Sequence, residues 1–223
     1  MKRETLRKTL KFLFARLAHV DYQGLENLPR TGGVLITTNH VSRLDTPLLF
    51  VNAVRPDITA LVTDKYLAYP LIKWFTNTAE GIWLDRTKAD FSAFAAAFKV
   101  LKEGRALGIA PEGTRSHTGS LLEGKSGSLL LATKGDVPIV PVAVIGSQYI
   151  LPQLKRLRRP KVIVRFGPAY KLPPIDRDDR ESSMQRLTDE LMCRIAVLLP
   201  EEMQGFYTGH PRIAELRQEL NLG

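Results

Sequence analysis

Short β-rich runs separated by helical patterns recur along this chain, and that alternation restricts its fold more than any other feature. The β-rich runs fall at 33–38 (GVLITT), 58–63, 80–84 (EGIWL), 106–110, 138–144 (PIVPVAV) and 161–166 (KVIVRF). Between them, residues 88–102 place Phe91, Phe94, Ala95, Phe98 and Leu101 on one helical face, with Thr87 and Asp90 as a capping box and Gly104 as the C-cap. A later helix over 182–199 aligns Met184, Leu187, Leu191, Ile195 and Leu198 before Pro200 stops it. Strands that alternate with helices are joined by crossovers, which predicts an α/β fold: a mixed, mainly parallel sheet flanked by helices. The 223 residues suit one domain, over 19–200, large enough to bury a core without disulfide staples. Residues 171–180 read as a loop and 201–223 as a peripheral C-terminal segment.

Ahead of that domain, residues 1–18 form an amphipathic helix. Leu6, Leu10, Leu13, Phe14 and Leu17 share a face, and Lys8, Lys11 and Arg16 lie away from it. Such a segment either packs on the domain's own core or lies in a membrane interface with its bases at headgroup level. Its position and cationic side favour the membrane. The whole chain is basic, with 32 Lys and Arg against 23 Asp and Glu, a balance that attracts nucleic acid, anionic lipid or phosphorylated ligands. No run approaches the roughly 20 apolar residues of a transmembrane helix, because 128–146 is broken by Lys134, Gly135, Asp136, Pro138 and Pro141. The N-terminus interleaves bases with apolar residues, unlike a signal peptide. The single cysteine, Cys193, sits inside a helical pattern and reads as structural.

Chemistry concentrates where β-rich runs end. Directly after 33–38 comes Asn39-His40-Val41-Ser42-Arg43-Leu44-Asp45. On one continuous helix, five residues would separate His40 from Asp45 by about 140° around the axis, too far to pair. They meet if His40 lies in the turn leaving the strand and Asp45 opens the next helix, where Pro47 suits the first turn. Asp45 would then orient the imidazole, leaving its other nitrogen to take a proton from an alcohol. After 106–110 comes Pro111-Glu112-Gly113-Thr114-Arg115-Ser116, and after 80–84 comes Arg86. The guanidinium forks of Arg86 and Arg115 suit phosphate oxygens, although surface ion pairing is the commoner fate of a lone arginine.

Together these segments resemble the glycerolipid acyltransferase family that includes the 1-acylglycerol-3-phosphate acyltransferases. The N-H-x-S-x-x-D motif is complete at Asn39, His40, Ser42 and Asp45, and E-G-T-R-S is complete at 112–116. Gly81-Ile82-Trp83-Leu84-Asp85-Arg86 ends in the family's arginine, and Val137-Pro138-Ile139-Val140-Pro141-Val142 matches its proline-punctuated strand. The resemblance covers about 20–170 in the family's order. It departs at Ala110, where an aromatic is commoner, and at Trp83 and Leu84, which bears on acyl or acceptor preference. The resemblance implies that His40 and Asp45 are catalytic, and that Arg86, Glu112, Gly113, Thr114, Arg115 and Lys125 bind substrate. It implies an acyl donor on coenzyme A or acyl carrier protein, and lysophosphatidate as acceptor, with glycerol 3-phosphate or another lysolipid as the alternative. No cofactor or metal is required. The setting implied is the cytoplasmic face of a membrane, held peripherally at an anionic surface.

Other readings are weaker. Gly119-Ser-Leu-Leu-Glu-Gly124-Lys125-Ser126 matches the phosphate-loop pattern by letter, but a polar, turn-rich stretch replaces the strand that the mechanism needs before Gly119. Lys155, Arg156, Arg158, Arg159 and Lys161 cluster, yet no nucleic-acid motif accompanies them. A serine hydrolase would need a G-x-S-x-G elbow, which is missing.

Overall fold

Among the described residues, seven strands and eight α-helices build the domain. The computed structural model describes residues 1–88 and 90–221. In chain order the elements are α1 (Arg3–Leu17), β1 (His19–Gln23), β2 (Val34–Thr38), α2 (Asp45–Phe50), β3 (Thr59–Thr63), α3 (Pro70–Thr78), β4 (Ile82–Leu84), α4 (Phe91–Lys102), β5 (Ala106–Ile109), α5 (Gly127–Gly135), β6 (Ile139–Ile145), α6 (Ile150–Leu154), β7 (Lys161–Phe166), α7 (Arg180–Ala196) and α8 (Pro211–Glu219). The strands form one sheet in the order β1-β7-β6-β2-β5-β3-β4. Every pairing is parallel except β6 with β7. The sheet is therefore mixed and mainly parallel, flanked by helices, as the alternation predicts.

Both faces are covered, so the central strands β2, β5 and β6 bury successive residues on both sides rather than alternate ones. Leu35 of β2 faces a core shared with α4, α5, α7 and α8, whereas its neighbours Val34 and Ile36 face a second core with α1 and α2. All five residues of β2 are buried.

The leucine stripe of α1 belongs to that second core. Leu6 and Phe14 are buried and Leu10 and Leu17 pack beside them. Each fully buried side chain contributes about 1.5–3 kcal/mol. This corrects the expectation that the stripe faces lipid, for the sheet supplies the apolar partner. Of the stripe only Leu13 stays exposed, beside the exposed Phe12.

Three further details depart from the sequence reading. α4 is capped by Asp90 alone, whose carboxylate accepts from the Ala93 amide at 3.0 Å. Thr87 instead donates to Asp85. α4 ends as expected, with Gly104 at φ +77°. Its buried face is Ala93, Ala97, Val100 and Leu101, while Phe91 and Ala95 stand outside; small alanines let the helix approach the sheet. The C-terminal segment is not peripheral: Met203, Tyr207, Ile213 and Leu216 are buried in the first core. Cys193 is buried there too, its thiol pushed up to about 12 by burial. Among the described residues no helix is long and apolar enough to cross a membrane.

Candidate active site

Parallel strands bring their following loops to one edge of the sheet, where α/β proteins assemble sites. β2 ends at Thr38, His40 lies in the turn beyond, and Asp45 opens α2. His40 Nδ1 lies 2.9 Å from Asp45 Oδ2. That oxygen also accepts the backbone N–H groups of Val41 and Ser42, each at 2.8 Å. The other carboxylate oxygen accepts the Ser147 hydroxyl at 2.5 Å. Four donors surround one carboxylate, so Asp45 has little freedom to turn away. Its side chain is 2% exposed and that of His40 is 22% exposed. Because the carboxylate only accepts, the network assigns the neutral ring's proton to Nδ1 and leaves a lone pair on Nε2. A braced imidazole of this kind can take a proton from a bound hydroxyl.

The turn is clamped from both sides. The Asn39 side chain exchanges two hydrogen bonds with the backbone of Val144 on β6, at 2.9 and 2.7 Å. On the other side, the Ser116 amide donates to the His40 carbonyl at 2.7 Å. Glu112 accepts the His40 amide on Oε1 at 2.8 Å and the Leu122 amide on Oε2 at 2.9 Å. The expectation that Glu112 is offered to a substrate is corrected here, for it is buried and both oxygens are engaged in holding the histidine's loop. Burial pushes its carboxyl up to about 7, against the pull of those amides.

The cations gather beside this clamp. Gly113 turns at φ +67°, and a side chain there would meet Lys125 Cδ at 3.1 Å and Arg86 Nη2 at 3.5 Å. A glycine is therefore needed both for the turn and for the close approach of two basic side chains. Arg115 is half-buried in the same loop, Arg86 and Lys125 are exposed, and Thr114 faces solvent. Among the described residues, neither the guanidiniums of Arg86 and Arg115 nor the ammonium of Lys125 has a hydrogen-bond or ion-pair partner. The segment Gly119–Ser126 has no strand directly before it, since β5 ends ten residues earlier at Ile109, and its Gly124 amide donates to the Tyr207 hydroxyl at 3.1 Å, so it is not a phosphate loop.

The profile of the acyltransferase family matches residues 19–145, a span that holds β1 through β6 and the braced histidine. The chain belongs to the acyltransferase family. It is similar to the 1-acyl-sn-glycerol-3-phosphate acyltransferase of Borreliella burgdorferi, 33% identical over 178 residues that cover 78% of this chain and 71% of that one. It is also 31% identical to the yeast (Saccharomyces cerevisiae) 1-acyl-sn-glycerol-3-phosphate acyltransferase over 180 residues, 78% of this chain but only 58% of the relative. A crystal structure of the 1-acyl-sn-glycerophosphate (LPA) acyltransferase PlsC from Thermotoga maritima superposes with a TM-score of 0.64 at 26% identity, covering 85% of this chain and 79% of that one.

Within this acyltransferase, Ser147 is the participant that sequence reasoning missed. It lies 102 residues from Asp45, at the end of β6, and a single serine after an apolar run carries no local signal. Its one clue is that β6 must lie beside β2 for the parallel sheet to close, which brings the residues after Ile145 near the turn after Thr38.

Proposed function

We propose that this acyltransferase moves a fatty acyl group from an acyl thioester, of coenzyme A or acyl carrier protein, to the free hydroxyl of lysophosphatidate, yielding phosphatidate. His40 Nε2 takes the acceptor's proton as its oxygen attacks the thioester carbonyl. Asp45 holds the ring by Nδ1 and stabilises the imidazolium that forms. The tetrahedral adduct then collapses, the C–S bond breaks, and the leaving thiolate recovers the proton from His40. Arg86, Arg115 and Lys125, beside the Gly113–Thr114 turn, grip the acceptor's phosphate and set its hydroxyl against the histidine. The reaction takes place peripherally at the cytoplasmic face of a membrane, where the lipid acceptor resides.

One observation carries this reading: a histidine braced by a buried carboxylate stands at the same sheet edge as three cations without partners among the described residues. The names of the relatives add weight to phosphorylated glycerolipid chemistry. The test presents the purified protein with acyl-CoA and a mixture of lysophosphatidate, glycerol 3-phosphate, lysophosphatidylcholine and monoacylglycerol, and identifies products by mass spectrometry. Phosphatidate should dominate. Acylation of monoacylglycerol at an equal rate would remove the phosphate from the account.

A further inference from the structure

The connection from β6 to β7 carries features that folding does not explain. α6 ends in a pair of C-terminal bonds: the Leu157 amide donates to Leu154 and the Arg158 amide to Gln153, both at 3.0 Å. That motif places its turning residue in left-handed conformation and normally uses glycine. Here the residue is Leu157, at φ 54°. A bulky side chain is strained in that conformation, and Leu157 gains nothing in return from the core, for it is 94% exposed. Leu151 and Leu154 are exposed beside it.

The charge around these leucines has one sign. Lys155, Arg156, Arg158, Arg159 and Lys161 lie within seven positions, and no Asp or Glu occurs between Asp136 and Asp176. Arg159 is used internally, donating to the Ala15 and Ala18 carbonyls at 2.6 and 3.2 Å, which fastens the connection to the end of α1. Next to that junction α1 exposes Phe12 and Leu13, with Arg16 stacked 5.0 Å over the Phe12 ring.

Topology sets this surface on the edge that holds the active site. β6 runs parallel to β2 and β7 returns antiparallel, so the connection between them leaves the sheet where the loop after β2 does. Ser147, which bonds Asp45, is three residues before α6 begins.

We propose that the α6–β7 connection, with the outer side of the last turns of α1, docks this protein on an anionic lipid bilayer, Leu157 inserting below the headgroups while Lys155, Arg156 and Arg158 contact their phosphates. Exposed leucines interleaved with bases match an interfacial apolar layer under a negative surface. A single-stranded nucleic acid would instead call for a row of aromatic platforms, whereas Leu151, Leu154, Leu157 and Leu13 supply most of the apolar area here, with Phe12 beside them. The proposal rests on the reading that the acceptor is a membrane lipid, since docking brings His40 to the plane in which such an acceptor lies.

The experiment measures co-sedimentation of the full chain with phosphatidylcholine vesicles, with and without phosphatidylglycerol, for wild type, Leu157→Gly and Arg156→Gln/Arg158→Gln. Leu157→Gly relieves the left-handed strain, so its thermal midpoint should hold or rise. Removing the side chain's transfer into lipid should still weaken vesicle binding roughly tenfold. The double variant should lose about fivefold per base on anionic vesicles only, in a salt-dependent way. Turnover on a water-soluble short-chain acceptor should stay at the wild-type rate in both, which separates loss of docking from failure of the proposed chemistry. Wild-type vesicle affinity in both variants would overturn the surface. So would binding to RNA but not vesicles, or a wild-type dimer that Leu157→Gly dissolves.

Discussion

Two sets of cations at opposite edges of the sheet are used in opposite ways. Where β2, β3 and β5 begin, Arg55, Arg105 and Arg3 are consumed by the fold. Arg55 is 1% exposed, pairs with both Asp57 oxygens at 2.8 and 2.7 Å, and donates to the carbonyls of Pro29, Gly32 and Gly104. Arg105 pairs with Glu80 at 2.7 Å, and Arg3 reaches the carbonyls of Pro56, Ile58 and Ala79. At the opposite edge, Arg86, Arg115 and Lys125 lie at or beside the Gly113 turn without partners among the described residues, next to a histidine whose own contacts are fixed. A cation that folding requires is buried and saturated. One left open beside a braced base is available to an anionic ligand.

Substitution should separate the edges. The largest effect is expected at Arg55→Ala, which leaves Asp57 and three loop carbonyls without their buried partner. Breaking such a buried pair commonly costs about 3–5 kcal/mol. Thermal or urea unfolding reads the loss, and activity should fall only as far as the folded fraction does.

Arg86→Ala and Arg115→Ala should do the reverse. Neither removes a contact among the described residues, so unfolding midpoints should stay at the wild-type value. Losing a charged partner for the acceptor's phosphate costs about 2–5 kcal/mol, a tens- to thousands-fold drop in kcat/KM for lysophosphatidate. Lysine should rescue only partly, being a point charge without the planar fork. Loss of stability together with unchanged kinetics would make the two edges alike.

Glu112 joins the two behaviours, being a buried structural group within the active edge. Glu112→Gln offers one oxygen where two amides now bond, so either His40 or Leu122 loses its acceptor. An unsatisfied buried amide costs about 1–3 kcal/mol, and slackening the His40 loop should lower kcat by about tenfold. The raised carboxyl also predicts a pH dependence. Folded Glu112 holds its proton up to about 7 rather than the ordinary 4.5, so its stabilising contribution is full below 4.5 and is lost as pH rises through 7. Unfolding midpoints measured from pH 4.5 to 8 should fall across that window in wild type and flatten in Glu112→Gln.

Much of this was legible in the sequence because it depends on local order. His40 and Asp45 can meet only through a strand, a turn and a helix start, and the strand before them and Pro47 after them specify that arrangement. The strands with continuous apolar runs were equally readable. β1 was not, because His19–Gln23 alternates exposed and half-buried residues at the sheet's edge and lacks an apolar run. α3 was not, because its nine residues span only about two and a half turns, too short a window for the apolar Leu71, Ile72, Trp74 and Phe75 to tell a helix from a strand. The inward turn of Glu112, the partnership of Ser147 with Asp45 and the burial of Arg55 depend on distant backbone groups, which no local spacing records. The leucine stripe of α1 was visible, but the partner it faces was set by the sheet's need for cover.

The central claim, that His40 is the base held ready at the open edge, is tested most directly by His40→Ala. Removing a general base costs about 10²–10⁴-fold, and the side chain's single bond to Asp45 leaves the Asn39, Ser116 and Glu112 clamps on the backbone intact. Phosphatidate formation from acyl-CoA and lysophosphatidate should therefore fall by at least about a hundredfold, with the unfolding midpoint little changed and acceptor binding retained. Wild-type turnover by a correctly folded His40→Ala protein would contradict the account.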